Sequence, residues 1–92
     1  MSVDVDIYMN NIMKFFKQNP KDLLNLVPMD KEEEFYVKIR EVAYHNFEKG
    51  NEVSLTQKQL IDICRELNQQ KEKVLEIPAG FMNSKFGLIC LN

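Results

Sequence analysis

Apolar residues recur every third or fourth position over most of the chain, and the breaks in that rhythm coincide with residues that end helices. Between Asp4 and Gln18, Val5, Tyr8, Met9, Ile12, Phe15 and Phe16 share one face of a helical wheel, which predicts a first helix. Asn19-Pro20 ends it and begins the next, because Asn is a good N-cap and Pro is favoured at the first helical position. Leu23, Leu24 and Val27 supply the apolar side of this short helix before Pro28 stops it.

Asp30 reads as a cap, with Glu33 at the capping-box position, and a third helix is expected from about Lys31 to Lys49. Gly50 stands where a left-handed C-terminal cap is wanted. The main face of this helix collects Phe35, Tyr36, Ile39, Val42, Ala43 and Phe47, while Val37 and Tyr44 share its back, so the helix is expected to be covered on two sides. The next helix starts at "SLTQKQLIDICREL": Thr56 is the N-cap, Gln59 completes a capping box, and Leu55 and Leu60 are placed as a hydrophobic staple. Leu60, Ile63, Cys64 and Leu67 line one face, with Ile61 at its edge. Asn68 to Lys73 is polar and puts Lys71 on the apolar side; Val74, Leu75 and Ile77 resume a helical pattern before Pro78 and Gly80 break it.

The stretch from Phe81 to Asn92 differs in kind. "KFGLICLN" is apolar and β-prone, with Phe86, Leu88 and Cys90 on one parity and Ile89 and Leu91 on the other. Four large apolar side chains, Phe86, Leu88, Ile89 and Leu91, are costly to leave in water. The tail is therefore expected to dock on the leftover apolar surface at Val37 and Tyr44, on its own subunit or on a neighbour.

Composition narrows the classes. Ninety-two residues make one small domain, which buries roughly 65% of its extended-chain surface. An apolar content of 45% fits a globular core, and 12 basic against 14 acidic residues give a net charge of −2. That balance lacks the clustered positive charge that draws a protein to phosphate backbones. No basic-then-apolar leader is read at Met1 to Asp6, and no run approaches the roughly 20 apolar residues that span a bilayer, so a cytoplasmic protein is expected. In that compartment Cys64 and Cys90 are expected as free buried thiols.

Candidate chemistry is sparse. A helix-turn-helix reader would need a small residue where Ile61 stands and a turn where Arg65-Glu66 stands; local capping accounts for Thr56 and its glutamines without DNA. His45, the only histidine, lacks a motif partner, although a pairing with Cys64 across packed helices is conceivable. The histidine and cysteine spacing suits no metal, and "DKEEE" at Asp30 to Glu34 serves a helix N-terminus. Asn46 lies near the middle of an apolar face, which implies hydrogen bonds to the tail or a second subunit, or else a place in water near the helix end.

The segments "VDIYMNNIMKFFKQNPKDLLNLVP", "VSLTQKQLIDI" and "FGLICLN" together resemble small uncharacterised proteins of T4-like marine phages. That resemblance implies a protein of an infected bacterium and carries no activity or site residues. The expectation from the chain is an all-α domain over residues 1–80, with three main helices and one short one, followed by an extended apolar tail over 81–92. Its expected role is a non-catalytic interaction module without cofactor, a small regulator or adaptor acting as a homodimer or on another protein. The interaction residues are Val37, Tyr44, Phe86, Leu88, Ile89 and Leu91. A nucleic-acid-binding regulator is the alternative, ahead of an enzyme of unrecognised type.

Overall fold

The periodic face of the first helix becomes the largest single contribution to the core. In the computed structural model, which describes residues 3–69, Leu75, Ile77 and the pair Ile89–Cys90, helix α1 spans Val3–Gln18. Val5, Tyr8, Met9, Ile12, Phe15 and Phe16 are all buried. Asn19 stands at the N-cap of the next helix, where its carbonyl accepts the Asp22 N–H at 3.1 Å but its side chain makes no cap bond; that side-chain amide instead donates to the Phe15 carbonyl at 2.9 Å, and the Asn19 backbone N–H points to the same oxygen. Pro20 opens α2, Pro20–Leu26, where its missing N–H costs nothing.

The apolar side of α2 is Leu23, Leu26 and Val27, not Leu23, Leu24 and Val27; Leu24 is exposed. Spacings of three and four residues define a narrow stripe, and Leu24 falls a full 100°-type step to its side. The approach to the third helix also differs from the sequence reading. Asp30 lies inside a 3-10 turn, Met29–Lys31, and α3, Glu32–Glu48, has no side-chain N-cap. Pro28 fixes this turn by accepting the Lys31 N–H at 2.9 Å, so the backbone closes the helix start itself.

Within α3, Phe35, Ile39 and Ala43 are buried, Tyr36 and Val42 are half-buried, and Phe47 at the end is exposed. Phe16 meets Phe35 edge-on at 5.8 Å between ring centres and lies 6.5 Å from Tyr36, which locks α1 to α3. Gly50, at φ +85°, ends α3 as expected: its N–H reaches the Phe47 carbonyl and the Asn51 N–H reaches the Asn46 carbonyl, the paired bonds of a Schellman cap.

Helix α4, Gln57–Asn68, begins as the sequence specifies. Thr56 Oγ1 accepts the Gln59 N–H at 3.1 Å, and Gln59 Oε1 accepts the Thr56 N–H at 3.0 Å. Leu55 and Leu60 are both fully buried beside this cap, and Leu60, Ile63, Cys64 and Leu67 face the core. Gln69 adopts a left-handed conformation and stops the helix. Asn68 ties the far end of α4 to α2, donating at 2.6 Å to both the Leu26 and Cys64 carbonyls.

Among the described residues, the fold is thus four α-helices, with α1, α3 and α4 as main elements and α2 as the short one. Leu75 and Ile77 pack against the same core. One parallel two-residue pairing adds to it: β1, Leu55–Thr56, runs beside β2, Ile89–Cys90, with Leu55 opposite Ile89 and Thr56 opposite Cys90. Val74 and the other residues of 70–74, and Pro78 to Leu88, lie outside the described residues.

Candidate functional site

Helices α1 and α3 run in opposite directions, since Asp6 meets Arg40 near one end while Phe16 meets Phe35 and Tyr36 near the other. Their outer edges do not close over one another. Met13, one step off the buried face of α1, and Val37, on the back of α3, flank a groove whose floor includes Met9, Phe16 and Tyr36. Two adjoining depressions make up this groove, and Met13 and Tyr36 line both of them. Leu24 and Met29 extend it where α2 turns into α3.

The exposed apolar side chains along it are Met13 at 47%, Leu24 at 46%, Met29 at 71% and Val37 at 50%. Single exposed apolar residues are ordinary; here Met13, Leu24 and Met29 line one depression, and Met13 and Val37 line the other. Two of the four are Met, whose flexible side chain adapts to irregular partner surfaces. The Asp6 carboxylate and the Arg40 guanidinium pair directly at the far end of the groove. Burial pushes the Tyr36 phenol above its ordinary value, and the neighbouring Glu32 carboxylate adds to the shift, so Tyr36 presents a neutral ring.

A second depression, of about 540 Å³, lies at the link between α3 and α4, lined by Asn46, Gly50, Asn51, Glu52, Ser54, Leu55 and Thr56. Its polar groups are engaged in holding the link. Asn46 Nδ2 donates to the Ser54 carbonyl at 2.8 Å and to Gln59 Oε1 at 2.9 Å, and Gln59 Nε2 donates back to Asn46 Oδ1 at 3.3 Å. Asn46 therefore clasps the cap of the following helix, an arrangement not among those the sequence left open, which were the tail, a second subunit or water. Tyr8 reaches the same link from α1: burial pushes its phenol up, while hydrogen bonds with the Leu55 backbone and the Ser54 side chain oppose the shift. Among the described residues, no buried side-chain nitrogen or oxygen lacks a partner.

The sequence-derived site residues fare differently. Val37 and Tyr44, expected from the sequence to be covered by the tail, are exposed on α3. Phe86, Leu88 and Leu91 lie outside the described residues, as does the side chain of Ile89; the pairing of Ile89–Cys90 with Leu55–Thr56 is a backbone relationship. His45 is exposed, and Cys64 is fully buried in the core. Among the described residues there is no cluster of three His, Cys, Asp or Glu side chains able to hold a metal, and no helix is long and apolar enough to cross a membrane.

The chain matches no family model, no curated protein and no solved structure. Its site is therefore read from its own geometry. Met13 and Met29 were not singled out by the sequence, and Leu24 was assigned to the buried side of α2. The available signal was that Met13 and Met29 are large apolar residues off every expected buried face; their convergence with Val37 needed the packing of three elements.

Proposed function

We propose that this protein is an interaction module that binds another polypeptide through the apolar groove between α1 and α3, and that it acts by binding rather than by catalysis. The observation that carries this reading is the exposure of Met13, Leu24, Met29 and Val37 along two adjoining depressions that share Met13 and the half-buried Tyr36. Binding energy in interfaces concentrates in apolar and aromatic anchors near the centre of a patch, which is how these side chains are arranged. The absence of solvent access at Cys64 also fits, because a nucleophilic thiol has to meet its substrate. Together with the resemblance to phage proteins, the groove supports the role of a small regulator or adaptor.

Photo-crosslinking tests this. A benzophenone side chain at position 13 should give groove-specific protein adducts in cells, one at position 62 on the exposed side of α4 should not, and Leu24→Glu should abolish the adducts while leaving the circular dichroism unchanged. Adducts that are equal from both positions, or insensitive to Leu24→Glu, overturn the reading.

A further inference from the structure

Strand β1, Leu55–Thr56, is held firmly from its inner side. The Leu55 side chain is fully buried, and Ser54 beside it is buried as well. Three helices fix its backbone. The Asn46 amide of α3 donates to the Ser54 carbonyl at 2.8 Å, Gln59 Oε1 of α4 accepts the Thr56 N–H at 3.0 Å, and the Tyr8 phenol of α1 hydrogen-bonds with the Leu55 backbone. The strand also lines the depression of about 540 Å³ at the α3–α4 link, so it is not sealed within the core.

Among the described residues, the strand seated against it is Ile89–Cys90, from the far end of the chain, paired in parallel over two residues. Parallel strands ordinarily lie inside larger sheets covered on both faces, and an isolated pair of strands is marginal by itself. The body of the fold thus supplies a rigid acceptor, and the end of the chain supplies a short added strand. That asymmetry is the geometry of strand addition, in which backbone pairing to a preformed edge captures an extended peptide. Residues 78–88 separate Ile89 from Ile77, the described residue before it. A strand tethered to its site through about eleven residues acts there at an effective concentration of about 1 mM.

We propose that the edge of Leu55–Thr56 is a docking slot for an extended apolar peptide, and that Ile89–Cys90 is its tethered resident, which an incoming strand of the same chemistry displaces. The occupant is read from the strand seated there, which belongs to the uncharged, apolar run "FGLICL" and pairs in the parallel sense. The slot is separate from the α1–α3 groove and does not rest on it. It gives the molecule a second binding face that its own C-terminal strand masks.

The probe is a synthetic peptide of the sequence Lys85–Asn92 with a fluorophore at its N-terminus. It is titrated by fluorescence anisotropy into the wild-type chain and into the double variant I89P/C90P. The two prolines remove both backbone N–H groups of the resident strand and lie outside every described helix. For a peptide that binds the opened slot with a dissociation constant of about 100 μM, a tethered rival at about 1 mM should weaken binding to the wild type about tenfold. In amide NMR spectra of I89P/C90P, the peptide should shift Leu55 and Thr56 and leave Met13 and Val37, on the groove, unmoved. Should the double-proline chain lose its helical circular dichroism, a chain ending at Leu88 takes its place with the same expectations. Equal affinity for the masked and opened chains, no binding to the opened chain at millimolar peptide, or shifts at Met13 and Val37 in place of Leu55 and Thr56 overturns the inference. None of these results touches the groove, which crosslinking at position 13 decides.

Discussion

Asn46, in the last turn of α3, and Gln59, in the first turn of α4, face each other amide to amide and exchange hydrogen bonds at 2.9 and 3.3 Å. The same Gln59 oxygen closes the capping box on the Thr56 N–H. The start of α4 is thus set by two adjacent layers, one local in sequence and one that crosses from α3. Replacing Asn46 with Ala removes a donor from the Ser54 carbonyl and strips Gln59 of its partner, at an expected cost of about 1–3 kcal/mol. Thr56→Ala should cost about 1 kcal/mol. Because Asn46 and Gln59 share one network, the double variant N46A/Q59A should lose less than the sum of the singles by about 0.5–3 kcal/mol. Urea unfolding of the four proteins measures this; additive losses would mean the amides act independently.

Tyr8 links α1 to that same junction and makes its stability sensitive to alkaline pH. Burial raises its phenol pKa in the folded state above the unfolded value. The sign follows: the stabilisation is complete below the unfolded phenol pKa of about 10 and is lost as pH rises from there towards the folded value. Tyr36 shifts in the same direction and adds to the trend. Tyr8→Phe should lower stability at pH 8 by about 0.5–1.5 kcal/mol and flatten the decline above pH 10. Unfolding midpoints followed across that range would show an unchanged slope if Tyr8 were not the responsive group.

Cys64 is a core side chain. In a Cys90→Ser background its thiol should react slowly with a maleimide in native buffer and rapidly in denaturant, because the thiolate has no route to the reagent without opening of α4. Fast native labelling would instead give Cys64 a reactive role that the packing denies it.

The helices were legible because their causes are local. The stripe of α1, the Thr56 capping box, the Leu55–Leu60 pair and the Gly50 cap each lie within a few residues of chain, and each stands in the structure as read. Where two residues compete for one stripe, as Leu24 and Leu26 do in seven-residue α2, periodicity over so short a span does not choose between them, and packing does. The capping expected at Asp30 gave way to a 3-10 turn behind Pro28, a backbone solution that leaves no trace in residue type. Asn46 was visible as an anomaly, but its partners are 8 and 13 residues away and depend on how α3 meets α4. The groove is the least legible feature, because it is a property of the gap between elements. Val37 was singled out on the back of α3 as a dock for the tail and Leu24 was assigned to the buried side of α2, whereas Met13 and Met29 gained meaning only beside them.

The account stands or falls on which face of this protein is engaged in solution, and methyl NMR reads that residue by residue. With the Met and Ile methyl groups labelled, adding the polypeptide captured by crosslinking at position 13 should shift Met13 and Met29, which line the groove, while Ile61 at the edge of α4 stays fixed. Met13→Glu should abolish the shifts at Met29. Changes at Ile61 with Met13 and Met29 unmoved would place binding on α4 and contradict the groove as the binding face.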